Sequence, residues 1–357
     1  MRREDTLILG GGPAGSAAAI TLACAGMRPL VLERQRETGD ALCGGFLSWH
    51  SLDELGRLGV EKLRGATVQH VRLFTANGSA QADLPRPALG VSRRQLDSAL
   101  LEHAEQTGAK VERGIVAREV DGRTVRAEGD SFEPQRLLLA TGKHDVRGCG
   151  RPKPGGDPAL GLRVRLGPST PLRKLIDGAI ELHLFDRGYA GLVCQEDGTG
   201  NLCLAVRKSR LGEAGSPRAL LEAIGREVPA LGERLAWLAE EAPVDAIASI
   251  PYGWRATATE PGVYRLGDQA GVIASLAGEG MGIALASGVL AAEAVLRGES
   301  AEAYQRKLAR RTRRPITVSS AIRAAAERPA TAPMLARLMR IAPGLATLLA
   351  RATRVGH

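Results

Sequence analysis

Aromatic residues are scarce in this chain: Phe, Tyr and Trp together make up 3% of its 357 residues. A nucleic-acid platform needs aromatics interleaved with basic side chains, and no such segment occurs, so nucleic-acid binding is not expected. Cysteine is also sparse, with five residues (Cys24, Cys43, Cys149, Cys194, Cys203) and no CxxC pair. An odd, unpaired set excludes a disulfide or zinc framework, predicts no metal site, and points to the reducing cytoplasm. No stretch of 18 apolar residues is present, since even the Ala- and Leu-rich tail from Arg328 to Arg354 is interrupted by Arg337, Arg340 and prolines. A membrane-spanning helix is therefore not expected. The opening MRREDTLILGGG runs directly into a strand and a glycine turn, which leaves no room for a signal peptide.

What is present is ordinary globular material, 44% hydrophobic and 24% charged, with 44 glycines. With so few aromatics, Ala, Leu, Val and Ile must build the core and glycine must serve turns and close packing. This composition predicts an α/β fold. The net charge of +9 comes mostly from arginine, with a local cluster at Arg306, Lys307, Arg310, Arg311, Arg313 and Arg314. Such clusters are usually solvated helix faces, and a phosphate-bearing cofactor or an acidic carrier or thioester substrate is enough to explain a basic protein.

Thr6 to Leu9 is an apolar strand-like run that leads into GGGPAGSAAAITLACAG, where Ala, Ile and Leu recur at helical spacing until Gly26. A second strand, Pro29 to Leu32, ends in Glu33. Strand, glycine turn, helix, strand and acid are the dinucleotide-binding fingerprint. In this reading Gly10 makes the tight turn, Gly12 lets a pyrophosphate approach backbone N–H groups, and Gly15 lets helix and strand pack closely. Glu33 is placed to accept the adenosine ribose hydroxyls, which argues against a 2′-phosphate there. Far downstream, residues 262 to 296 read as a strand (Val263 to Leu266), a glycine and an acid, a glycine-rich loop and a long Ala- and Leu-rich helix starting near Gly280 to Ile283. Its N-terminus directs partial positive charge at whatever sits before it.

GDQAG followed by GEGMGIALASG resembles the GD motif of the flavoprotein superfamily that contains geranylgeranyl reductases and para-hydroxybenzoate-hydroxylase-like monooxygenases, with flavin-dependent halogenases as cousins. VSRRQLDSALLEHAEQTGAKV, residues 91 to 111, resembles the family helix in which an Arg four before an Asp, here Arg93 and Asp97, helps to hold FAD. RLLLATGKHDVRG, residues 136 to 148, is similar to the strand and turn that return the chain to the cofactor. The resemblance implies FAD as the tight cofactor and NAD(P)H as a visiting reductant. With the fingerprint, it assigns cofactor contacts to Gly10, Gly12, Pro13, Ala14, Gly15, Glu33, Arg34, Arg93, Thr141, Gly142, Gly267, Asp268, Gly280, Met281 and Gly282. ALCGGFLSWH, residues 41 to 50, resembles the mobile Cys-Gly loop near the flavin of geranylgeranyl reductases, which makes Cys43 the candidate catalytic residue. Cys43 is equally a small buried side chain by type, and His50, His144 and Tyr189 are the other groups able to donate protons.

Several positions depart from the family pattern. The hydroxylase Asp and His are replaced by Thr141 and Gly271, Ser275 stands where a Pro commonly precedes the GEG loop, and Gly191 and Cys194 replace the reductase Trp and Pro. The sequence accordingly predicts an FAD-dependent oxidoreductase. A monooxygenase acting on an aromatic or polyketide-like molecule with NAD(P)H and O2 stands narrowly ahead of a double-bond reductase acting on a lipophilic prenyl chain. A catalytically weak flavin-binding protein is the alternative of another class. The substrate is expected to be a small molecule, lipophilic or carrier-bound.

The expected architecture is a Rossmann-like FAD-binding domain (residues 1–70, 90–150 and 245–300) interleaved with a β-sheet substrate domain (71–89 and 151–244), followed by a helical segment (301–357). Within the substrate domain, strands are predicted at Ala179 to Phe185, Ala190 to Cys194 and Leu202 to Arg207, then a helical run from Pro217 to Glu240. The tail contains two amphipathic stretches, around Met334 to Ile341 and Leu345 to Ala352. They are expected to pack as a cap on the core, with a lid or a peripheral membrane contact as the functional alternative. Oligomeric state is left open.

Overall fold

A computed structural model of the chain describes residues 1–355, with Ala346 described by its backbone alone. The chain begins with β1 (Arg2–Leu9), α1 (Pro13–Cys24) and β2 (Leu30–Glu33), the βαβ unit anticipated from the glycine pattern. It then makes a first excursion through β3 (Phe46–Leu47), α2 (Trp49–Arg57), β4 (Ala66–Thr75) and β5 (Gly78–Gly90). It returns with α3 (Arg93–Thr107), β6 (Lys110–Arg113), β7 (Ala117–Asp121), β8 (Thr124–Ala127) and β9 (Asp130–Leu139). A second excursion holds β10 (Ala159–Leu166), α4 (Thr170–Ile176), β11 (Gly178–Phe185), β12 (Gly188–Cys194) and β13 (Gly200–Arg207). It continues through α5 (Lys208–Ala214), α6 (Pro217–Glu227), α7 (Pro229–Leu235) and β14 (Asp245–Ile250). The chain finishes with β15 (Val263–Arg265), α8 (Gly280–Leu296), α9 (Ala301–Ala326), α10 (Ala332–Ile341) and α11 (Pro343–Ala352).

Two sheets result. The first runs β6-β2-β1-β9-β8-β7, with β15 also paired to β9. Its β6, β2, β1, β9 and β15 pairings are parallel, and β7 and β8 add an antiparallel hairpin. The second runs β14-β10-β13-β12-β11-β4-β5-β3, antiparallel except where β11 lies parallel to β4. The substrate-domain strands thus begin earlier than the sequence reading placed them, because β4 carries residues 66–70 into the second sheet. At the other end β14 keeps residues 245–250 there by pairing with β10. The helical run from Pro217 to Glu240 is two helices, divided where Val228 takes an extended conformation (φ −119°, ψ 92°) before Pro229.

The core follows this division. Ala17, Ala18, Leu22, Leu100, Leu138, Leu285 and Tyr304 pack where α1, α3 and α8 cover the first sheet. A separate cluster of Leu162, Leu192, Leu220 and Ile224 lies between the second sheet and its own helices. On the second sheet, α10 buries Ala332, Ala336 and Met339 against Leu73, Ala80 and Ala82, so the expected cap forms along one face of the tail. No helix among the described residues is long and apolar enough to cross a membrane.

Candidate flavin site and its comparisons

Strand register gathers the predicted cofactor residues. Leu9 is level with Leu32 on one side and Leu139 on the other, and Leu139 is level with Arg265. The turns carrying Gly10, Glu33, Thr141 and Gly267 therefore leave the sheet at the same edge, the carboxyl end where open α/β sheets bind ligands.

Gly10 adopts φ +107°, and a Cβ there would lie 2.5 Å from the Ala140 carbonyl oxygen. A Cβ on Gly15 would lie 1.9 Å from the Gly10 oxygen, so helix α1 can sit this close only with glycine. Pro13 opens α1 and Ala14 is buried in its first turn. The N-cap is Gly12, with no side chain accepting from the first-turn N–H groups. That leaves an uncapped helix N-terminus, the arrangement that binds phosphate. Glu33 accepts from the Gly11 N–H at 2.8 Å and from the Gln35 N–H at 2.9 Å, and so is fixed beside the turn.

Helix α3 is capped by Ser92, which accepts from the Gln95 N–H, and its first turn presents Arg93. Two hydrogen bonds of 2.7 and 2.6 Å join the guanidinium to Asp97. A Cβ on Gly12 would stand 3.3 Å from Arg93 Nη2, so the cation faces the phosphate turn. Burial raises the Asp97 carboxyl above its usual range, while Arg93 opposes that shift. The bare N-cap, the cradle that a Cβ at Gly12 would enter and the facing guanidinium fit the diphosphate of FAD.

Asp268 follows Gly267 at the end of β15, within electrostatic reach of Arg93. This placement depends on α8 lying against α1, where a Cβ on Gly288 would come 2.2 Å from the Ala14 oxygen. Ser287 of α8 also accepts from the Gly267 N–H at 2.8 Å. Gly142 adopts φ +61°, and Thr141 Oγ1 donates to the His144 carbonyl. His144 in turn lies 2.8 Å from Arg34, which places both at the end of β2. Burial and the neighbouring cations lower the His144 pKa.

The sequence reading missed Gln269, fully buried, whose amide donates to the Gly142 and His144 carbonyls and to Asp145. It ties the GD turn to the Thr141 turn. Its signal was its place inside GDQAG, although nothing local showed what it would bind.

The Cys43 loop is built from distant parts. Arg163 of β10 donates to the Asp40 and Ala41 carbonyls, and Asp40 accepts from the Arg93 N–H at 2.9 Å. The Cys43 carbonyl accepts from Asn201 and from the Cys203 thiol, each at 3.0 Å. Cys43 itself is half-buried and near enough to Arg93 and Cys203 to affect their ionisation. Burial pushes the Cys203 thiol up to about 12, so it stays protonated.

The GEG loop lies next to this one, since a Cβ on Gly278 would strike the Phe46 ring at 2.7 Å. Gly280, Met281 and Gly282 form the first turn of α8, as expected, with Glu279 at the N-cap. The Glu279 carboxylate lies over that turn, 2.5 Å from where a Gly282 Cβ would be. Ser48 donates to it at 3.1 Å, and Arg354 reaches it at 2.9 Å from the far end of the chain. Burial raises the Glu279 carboxyl to about 7, and burial likewise lowers Arg354. Nothing in the spacing of these residues announced the pair. Tyr189 and Tyr252 both hydrogen-bond to Ser275, at 2.7 and 3.0 Å, and the Leu276 N–H donates to Tyr189. Tyr189 thus joins the start of the GEG loop. His50 is the second residue of α2, in the turn capped by Ser48.

Residues 3–147 match the model of an FAD binding domain. The βαβ unit, α3 and β9 thus belong to an FAD-binding domain. It is 31% identical over 158 residues to a menaquinone reductase of Mycobacterium tuberculosis, a match spanning 40% of this chain and 39% of the relative. That match thus covers well under two thirds of the relative's length. A menaquinone reductase of Mycolicibacterium smegmatis is 27% identical over 318 residues, 83% of this chain and 77% of the relative.

The fold is shared with a geranylgeranyl bacteriochlorophyll reductase-like protein of Thermoplasma acidophilum, at TM-score 0.75 and 19% identity over 95% of this chain and 92% of that one. It is shared too with PqsL, a probable FAD-dependent monooxygenase from Pseudomonas aeruginosa, at TM-score 0.71 and 17% identity over 92% and 98%. Both branches implied by the sequence are therefore represented among its neighbours.

Proposed function

We propose that this flavoprotein is an FAD-dependent oxidoreductase that delivers reducing equivalents to a double bond or quinone of a small lipophilic molecule. The observation that carries the FAD assignment is the convergence of the uncapped α1 N-terminus, Arg93 and Glu33 on one edge of the first sheet. FAD, when bound, supplies the hydride chemistry. The chain's own residues bind and orient: the Gly10 to Gly12 turn and Arg93 hold the diphosphate, Glu33 accepts from the adenosine ribose, and Asp268 accepts from a hydroxyl near the diphosphate. The Cys43 loop and the GEG loop line the substrate side. There Tyr189 and Cys203 are held protonated by burial and are the groups able to hold a proton for the product.

The reductase reading is supported by the chain-long likeness to a menaquinone reductase. Ring hydroxylation remains the second reading, favoured by the absence at Gly191 and Cys194 of the residues that mark the prenyl-reductase pocket. NAD(P)H is the proposed visiting reductant, and the cytoplasm the proposed location.

Two measurements test this. Heat-released cofactor from the purified protein is expected to show the absorbance of FAD; a colourless extract refutes the assignment. Enzyme reduced under argon is then mixed with a short-chain menaquinone or a polyprenyl alkene. Anaerobic reoxidation of the flavin with reduced product is expected. Turnover only in oxygen, with labelled oxygen entering the product, overturns the reductase reading in favour of hydroxylation.

A further inference from the structure

The two C-terminal helices show different faces. Inward, Ala332, Ala336 and Met339 are buried on the second sheet. Outward, Met334, Leu338, Ile341 and Leu348 are 65, 45, 70 and 61% exposed, and they dominate the large hydrophobic side chains left in solvent among the described residues. Met334, Leu338 and Ile341 stand four and three residues apart, so they form one stripe along α10. Exposed arginines flank that stripe: Arg328 before it, Arg337 and Arg340 within it, Arg351 beyond it. From residue 328 to the end of the chain there is no Asp or Glu.

An apolar ridge on a segment whose only charged side chains are arginines is complementary to one kind of surface, a bilayer with anionic headgroups. The apolar residues enter the acyl boundary and the arginines stay at the phosphates. A protein partner of ordinary surface would find no acidic groups here to pair with its own basic ones.

We infer that α10 and α11 are a docking surface for anionic membranes. The same segment runs on into the candidate site: beyond α11, Arg354 pairs with Glu279 and stacks over Trp49, and Val355 is buried beside Ile273, Ile283 and Ile316. The surface that meets the bilayer is therefore continuous with the chain segment that closes the GEG loop. A lipophilic substrate leaving the membrane here arrives at that loop, a consequence that rests on the function proposed above. The docking itself does not depend on that function.

The test is co-sedimentation of the full chain with vesicles of phosphatidylcholine alone and of phosphatidylcholine enriched in phosphatidylglycerol. Binding is expected to the anionic vesicles only, and to weaken as salt is raised. Because the altered side chains are exposed, M334S/L338S/I341S is expected to keep its far-UV spectrum and lose sedimentation. R337Q/R340Q is expected to weaken binding by roughly fivefold per arginine. Failure to sediment with either vesicle overturns the inference, and so does equal binding to both. A wild-type dimer that the serine variant converts to monomer also overturns it, and assigns the stripe to contact between copies. Sedimentation without released FAD would leave docking standing and refute the function; FAD without sedimentation would do the reverse.

Discussion

The two ends of the candidate site are built on different principles. At the diphosphate end the backbone decides: Gly10 and Gly15 lie within six residues of each other, and a Cβ on either would strike a backbone carbonyl oxygen, that of Ala140 or of Gly10. At the substrate end the deciding contacts join residues from 23 to 231 positions apart, in different elements. Ser48, Glu279 and Arg354 meet in a buried cluster, and Tyr189, Tyr252 and Ser275 share hydroxyl hydrogen bonds. The first kind of site tolerates almost no added volume. The second tolerates volume but is sensitive to charge and protonation.

The largest effects are expected where volume is forbidden. Gly288→Val places a side chain into the Ala14 carbonyl at the contact of α1 with α8. No flexible group is there to yield, so a loss of more than about 3 kcal/mol in unfolding free energy is expected. Chemical denaturation measures it. A loss below about 1 kcal/mol would mean that the helices can separate and that added volume is not forbidden at this end.

Arg93→Ala comes next, because it removes a cation from the phosphate turn and strands Asp97, whose side chain is 10% exposed. About 3 kcal/mol of stability is expected to go, as when one partner of a buried pair is deleted. FAD affinity should fall along with it. Arg93→Ala/Asp97→Asn separates the two roles, recovering stability without recovering FAD affinity, as read by flavin fluorescence titration.

These contrasts explain what was legible beforehand. The βαβ unit, the GD turn and the Arg93–Asp97 pair are each encoded within a short window, where spacing is itself geometry. Gly10, Glu33 and Asp268 stand in the turns at one edge of the first sheet, and Gly282 in the first turn of α8. The ion pair of Arg163 with Asp40 and Asp245 could not be read this way, because β10 and β14 meet only in the second sheet and Asp40 comes from the loop between β2 and β3. Glu279 is the instructive case: it lay inside the quoted GEG motif, but its meaning depends on Arg354, which belongs to a tail that reads simply as amphipathic helix.

That pair gives a pH prediction of the sign opposite to most acids. Burial holds the folded carboxyl of Glu279 near 7 against an ordinary value of 4.5. Below 4.5 both folded and unfolded chains carry the proton, and the contribution to stability is complete. As pH rises from 4.5 to 7 the unfolded chain ionises first, so that contribution is lost, by on the order of 3 kcal/mol. Glu279→Gln is expected to flatten this part of the stability profile, measured by urea unfolding at a series of pH values. An unchanged slope would show that the carboxylate is ionised throughout and that the ion pair with Arg354 outweighs its burial.

The smallest expected effect belongs to the hydroxyl group of three. Tyr189→Phe removes the hydrogen bond to Ser275 and leaves the Leu276 N–H without its acceptor, while Tyr252 still reaches Ser275. Each neutral hydrogen bond contributes about 1 kcal/mol, so a loss of roughly 1 to 2 kcal/mol is expected from the single variant. Ser275→Ala should cost a similar amount. If the three hydroxyls act as one unit, the double variant costs less than the two singles together, with a coupling of at least about 0.5 kcal/mol in a double-mutant cycle. Additive losses would show that Tyr189 and Ser275 are stabilised independently. The buried ion pair of Glu279 with Arg354 would then be the coupled element of the substrate end, with the hydroxyls of Tyr189 and Ser275 contributing separately.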